Sequence, residues 1–275
     1  MTEHTESTEH TESTESTAVA VKDQIARLGG GFMRSREVAA SAAEAGYRGW
    51  QMYFAGRAGV LGDVDADVVT AATAFFPATF VRHAWEGARS VEPRTAAVAR
   101  YADAAHGWGR RQLAGFSGAT RLAELLDQVV AQAGVLAAPL AAGWRAVPLP
   151  ADAPARVVHL AHVLREHRGA MHVVAVLAAG MHPLEAMVAG PDGVEGARYF
   201  GWREPFPVVD TALGAARARV ETDTDRLEAP TWDVLSADEA AECVRLLDAA
   251  LRAVGAGEGP QAGMIPGRRG VDGAE

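Results

Sequence analysis

A mainly α fold is predicted by three observations: apolar residues recur at helical period through most of residues 35–253, several of these stretches carry capping residues, and alternating strand patterns are rare. The period marks helices near 35–45, 64–75, 77–88, 93–106, 119–141, 153–180, 208–227 and 236–253. "SREV" opens the first of these and "SADE" the last; the latter has the Ser-x-x-Glu form in which side chain and backbone cap each other. Gly46, Gly143 and Gly180 stand where a helix would end in the left-handed conformation that suits glycine. Two stretches alternate, "YRGWQMYFAG" at 47–56 and, more weakly, "GARYFGWREP" at 196–205, so a few short strands are expected.

At 275 residues and 49% hydrophobic, the chain can bury a substantial core. The opening "MTEHTESTEHTESTEST" repeats polar residues with no apolar side chain after Met1, so it cannot repay the entropy of ordering. Residues 1–20 are expected to be a disordered tail, and the Gly- and Pro-rich 255–275 a second one. The formal net charge is −9; the first tract carries −5 of it and Glu258, Asp272 and Glu275 against Arg268 and Arg269 another −1, leaving −3 between. That is not the basic footprint of a nucleic-acid binder, so a nucleic-acid partner is not expected. The apolar run "VVAVLAAGM" at 173–181 is far short of the roughly 20 residues that cross a bilayer, so no membrane partner is expected either. With no signal-peptide pattern and the single Cys243, a cytoplasmic location is expected.

The stretch "LREHRGAMH" at 164–172 lies inside the longest helical pattern. At about 100° per residue, Leu160, Val163, Leu164, Met171, Val174 and Leu177 share one arc. His167 falls in its middle and Glu166 and His159 on its border, whereas Arg165, Arg168 and His172 cluster on the other side. A histidine in an apolar stripe must be hydrogen-bonded or lie beside a cavity. It is either a core residue held by a carbonyl or carboxylate, or a pocket residue fit for proton transfer. Arg165, Arg168 and His172 could bind a carboxylate or phosphate, or pair with acidic side chains nearby. His159, His162 and Glu166 share one side at i, i+3, i+7, but without the His-Glu-x-x-His spacing no metal is expected.

The second polar constellation is "GYRGWQMYFAGRAGVLGDV" at 46–64. It has neither a Gly-Lys-Ser/Thr phosphate loop nor a dinucleotide fingerprint, so no nucleotide cofactor is expected. Tyr53 and Arg57 are its candidate ligand contacts, against a purely structural role in core packing and ion pairing.

Together, "GYRGWQMYFAGRAGVLGDVDADVVTA" at 46–71 and "LREHRGAMHVVAVLAAGMHPLEAMV" at 164–188 resemble the paired hallmarks of a largely uncharacterised actinobacterial family of helix-turn-helix or winged-helix-like proteins. Some of its members occur near natural-product biosynthetic genes. "RVETDTDRLEAPTWDVL" at 219–235 is similar to the family's C-terminal helix. The resemblance implies tandem degenerate winged-helix units, like those of MarR-type regulators, packed around a long central helix. One unit would span 21–150, and the central helix with a truncated second unit 151–254. Three departures stand out. Ala170 replaces a usual Asp, "TAFFPAT" with Phe75 and Phe76 replaces a usual Tyr-Asn-Phe, and the short "PFPVVDTALGAA" stands where relatives carry a helix, turn, helix and wing.

The reading that follows is a small-molecule-binding protein of specialised metabolism, acting as a cofactor-independent isomerase, cyclase or lyase on an apolar ligand. His167 would be general acid/base and Glu166 would orient it, with Tyr53 and Arg57 completing the catalytic set. Arg165, Arg168, His172, Phe75, Phe76 and Trp50 would hold the substrate. Two alternatives stay open: a ligand-responsive MarR-like regulator, and a haem or metal carrier using His167 or His172. Ala-rich apolar helices are compatible with a homodimer.

Overall fold

The computed structural model describes residues 17–255, and among these it is helical throughout, with no strand. A helix over 17–30 (α1) leads through a 3-10 turn, Gly31–Arg34, into α2 (Arg36–Ala45) and α3 (Gln51–Ala58). There follow α4 (Ala66–Thr73), α5 (Ala78–Gly87), α6 (Arg94–Gln112), α7 (Ala119–Gln132), α8 (Pro139–Arg145) and α9 (Ala153–Ala178). The chain closes with α10 (Pro183–Val188), α11 (Gly193–Tyr199), α12 (Thr211–Glu228) and α13 (Ala237–Gly255).

Capping residues start these helices as the sequence predicts. Ser35 Oγ accepts from Val38 N–H at 3.3 Å, and Ser236 and Glu239 cap each other, Glu239 N–H donating to Ser236 Oγ at 3.3 Å and Ser236 N–H to Glu239 Oε2 at 3.2 Å. Asp152 begins α9 by accepting from Ala155 N–H, with Pro154 in the first turn where a missing N–H costs nothing. Gly46 ends α2 at φ 88°, and Gly180 follows α9 at φ 65°.

Several expectations are corrected. The stretch at 47–56 is a turn running into α3, because Met52, Ala55 and Ala58 recur every three residues and are buried together; over so few residues that spacing and an alternation overlap. The stretch at 196–205 is the end of α11 and a turn at Gly201, so no short strand forms at either place and no β-wing exists among the described residues. The predicted helix at 119–141 breaks at Gln132, and Gly143 lies inside α8 against Val60 instead of ending a helix. Helix α1 already occupies 17–20, part of the expected N-terminal tail, and α13 reaches Gly255; the rest of both expected tails lies outside the described residues.

Helix α9 is the axis of the molecule, packed by α6, α7, α8 and α12. From Val157 to Leu164 every side chain is buried, whichever way it points. The single apolar arc of the projection therefore fails for this segment, because a helix enclosed on all sides has no solvent face. At its far end, Leu177 of that arc is exposed while Ala175 and Val176 are buried. Gly109 lets α6 approach, since a Cβ there would press on the Pro154 carbonyl and Val158. The main core unites Leu28, Phe32, Tyr101, Trp108, Leu122 and Trp144 around α9. A second, aromatic cluster of Phe54, Phe76, Trp85 and Phe200 joins α3, α4 and α5 to α11. No helix is long and apolar enough to cross a membrane, among the described residues.

Candidate functional site

A cavity of about 330 Å³ opens where α9 meets the α4–α5 turn and the α10–α11 pair, with α8 and α1 at its sides. This is the lower end of the range that holds drug-sized ligands, about 300–1,000 Å³. Its apolar walls include Phe75 and Phe76 from the α4–α5 turn, Leu140 from α8, Met187 from α10 and Phe200 after α11. Its polar side is built by Tyr53 and Arg57 of α3 and by Arg165, Glu166, Arg168 and His172 of α9.

Tyr53 and Arg57 lie one turn apart on α3, which places both against α9. Arg57 donates from Nε to Glu166 Oε1 at 2.9 Å and from Nη2 to Oε2 at 2.6 Å, a two-pronged pairing that fits guanidinium to carboxylate. Arg57 Nη1 donates to the Tyr53 hydroxyl at 2.8 Å, and Arg165 Nη1 donates to Glu166 Oε1 at 2.9 Å. The Glu166 side chain is 1% exposed. Burial pushes its carboxyl up, but the guanidiniums of Arg57 and Arg165 outweigh burial and hold it at about 2. Trp144 Nε1 donates to the Arg57 carbonyl at 2.9 Å and ties α8 to the same place.

Arg168 points toward α12, donating from Nη2 to Asp225 at 2.6 Å and Glu221 at 3.2 Å, while its buried Nε has no partner. His172 lies nearby, with its ring stacked on Phe75 at 5.5 Å. The Thr224 hydroxyl donates to the Val220 carbonyl at 2.7 Å, so the 2.9 Å contact with His172 has Nδ1–H as donor and leaves Nε2 as a lone pair. Burial lowers this imidazole to about 4, so it is neutral at physiological pH.

Eight of the ten residues singled out from sequence line this cavity: Tyr53, Arg57, Phe75, Phe76, Arg165, Glu166, Arg168 and His172. His167 does not. It is 4% exposed and its Nδ1 pairs at 2.7 Å with Glu228 Oε2 at the end of α12, outside the cavity lining. A step of one residue along α9, about 100°, sends the adjacent Glu166 and His167 to different neighbours, so Glu166 does not orient His167, and His167 has the arrangement of a core histidine held by a carboxylate. Trp50 also lies outside the lining, in edge-to-face contact with Tyr53 at 5.1 Å and Phe76 at 5.5 Å, where it backs the wall. His159 meets His106 Nε2 at 3.0 Å and the Trp144 carbonyl, while His162 donates to the Gly29 carbonyl at 3.0 Å and has its Nδ1 3.7 Å from Glu166 Oε1.

Lys22, Arg217, Met187 and Phe200 line the cavity without having been singled out. Lys22 was visible as the chain's one lysine. The others carry no local signal, because they meet α9 only through the fold.

A model of a helix-turn-helix family matches residues 18–261 of the chain. No curated protein and no solved structure matches it.

Proposed function

The chain belongs to the helix-turn-helix family, and from that premise we propose that it is a ligand-responsive regulator whose effector, an apolar small molecule, occupies the cavity on α9. The observation that carries this reading is the composition of the cavity walls. One side is the α4–α5 turn with Phe75 and Phe76, another is the α10–α11 pair with Met187 and Phe200. An occupant touches both compact helix pairs and the central helix, so its binding energy can bias their spacing.

The partner that the family implies is nucleic acid. On α5, Arg82 is held by Asp67 and Glu86, and Arg89 just beyond it by Asp63. Contact through this helix would neutralise few phosphates and show a shallow salt dependence. The enzymatic reading has less support. Glu166 is held as a carboxylate by two arginines and His172 is pushed down to about 4, so neither is placed to exchange protons near neutrality.

Chromatin immunoprecipitation of the tagged protein tests the proposal. Enrichment at discrete sites is expected, redistributed in Ala72→Trp, which fills the cavity. Uniform background coverage for both would overturn it.

A further inference from the structure

The cavity's hydrogen-bonding chemistry is one-sided, and from it we infer the ligand class: a small molecule with an aromatic or alkyl body ending in a single carboxylate, seated on Tyr53 and Arg165. The inference rests on the cavity being a ligand site, as proposed above, and deepens that reading.

Charge is the first support. The lining holds five cations, Lys22, Arg57, Arg165, Arg168 and Arg217, against the carboxylates Glu166 and Asp192. Glu221 and Asp225, which hold Arg168 and Lys22 from behind, bring the acids to four. One positive charge stays uncompensated, which suits a monoanion better than a phosphate dianion.

Donor and acceptor accounting is the second. Glu166 already accepts three hydrogen bonds from Arg57 and Arg165, and its side chain is almost fully buried. It has little acceptor capacity left to offer an occupant. Tyr53 accepts from Arg57, so its own O–H proton is directed elsewhere, and it donates to no partner among the hydrogen bonds of the described residues. Arg165 donates once, to Glu166, from a guanidinium carrying five N–H groups and is 23% exposed. This end of the cavity therefore presents donors and asks for acceptors. The accessible ring lone pair, Nε2 of His172, lies two turns further along α9, roughly 10 Å away. Between the ends run Phe75, Phe76 and Phe200, which select an apolar body.

Titration calorimetry with three probes of one shape, 2-naphthoate, 2-naphthylmethanol and 2-naphthylmethylammonium, tests the assignment, alongside the matched set built on a benzene ring and on a decyl chain. The carboxylate is expected to bind about tenfold or more tightly than its alcohol, and the ammonium more weakly than either. Tyr53→Phe and Arg165→Gln should each remove most of that preference, weakening the carboxylate by about tenfold and the alcohol by much less. Tyr53→Phe deletes only a hydroxyl and guards against misfolding of the arginine variant. If acid and alcohol bind alike, or if neither variant alters their ratio, the carboxylate assignment fails while the ligand-site reading stands. If no probe of any body binds, both fail.

Discussion

Replacing Arg57 by methionine removes the strongest partner of a carboxylate that has almost no access to water. Glu166 is 1% exposed and loses bonds of 2.9 and 2.6 Å, retaining the one from Arg165 at 2.9 Å. Breaking a buried pair by deleting one member costs about 3–5 kcal/mol. The titration of Glu166 gives the scale for the whole cluster: burial raises its carboxyl but Arg57 and Arg165 together hold it at about 2 instead of 4.5, and at 1.36 kcal/mol per pH unit that net depression is worth about 3 kcal/mol. Because the folded-state value is depressed, this contribution is complete above about pH 4.5 and fades as pH falls toward 2. Urea unfolding of wild type, Arg57→Met, Glu166→Leu and the double variant, followed by tryptophan fluorescence, measures it. Arg57→Met should lose about 3 kcal/mol at pH 7, and the double variant less than Arg57→Met alone, since no unpaired carboxylate remains. A loss under about 1 kcal/mol in Arg57→Met, or a double variant as unstable as the sum of both singles, would refute this account of the pair.

Acid should unfold the protein through its buried histidines: burial lowers His159 and His172 to about 4 and His162 to about 3, so the unfolded chain binds more protons below about pH 6.5 and stability must fall from there downward. A urea midpoint that stays flat between pH 7 and pH 4.5 would contradict this. Gly29→Ala should cost about 3 kcal/mol or more, because the added methyl overlaps the Ala161 carbonyl and the His162 amide, backbone that cannot yield; thermal melting within about 2 °C of wild type would disprove the close approach of α1 to α9. Ala137→Gly should stabilise by about 1 kcal/mol, since Ala137 sits at φ 58° on the loop entering α8; a lowered melting temperature would count against that geometry.

Helix positions were readable because their signals are local. Ser35, Ser236 and the glycines at 46 and 180 cap helices through contacts within a few residues. The candidate cavity was partly readable as well, because Tyr53 with Arg57 and Arg165 with Glu166 stand out as polar groups within apolar helices. What joins them was not. Arg57 meets Glu166 across 109 positions and His167 meets Glu228 across 61, and neither pairing leaves a trace in either local pattern. The projection placed His167 inward, where it is buried, but could not choose between its two readings. It presumed one buried face, whereas α9 is covered on all sides from Val157 to Leu164, so centring on an apolar arc could not tell a cavity residue from a core one. The strands failed because 47–56 offers a three-residue spacing and an alternation at once.

The burial of α9 around its whole circumference from Val157 to Leu164 makes its length a form of coding. Between the cap at Asp152 and Arg165 lie twelve residues, and each one advances the side chains that follow by about 100°. Deleting any of them, even an alanine such as Ala161, would turn Arg165, Glu166 and Arg168 away from the cavity and bring core positions against it. Substitutions along this helix can be graded by size and polarity; insertions and deletions cannot, and homologues that keep the cavity are expected to vary in residue type here but never in spacing.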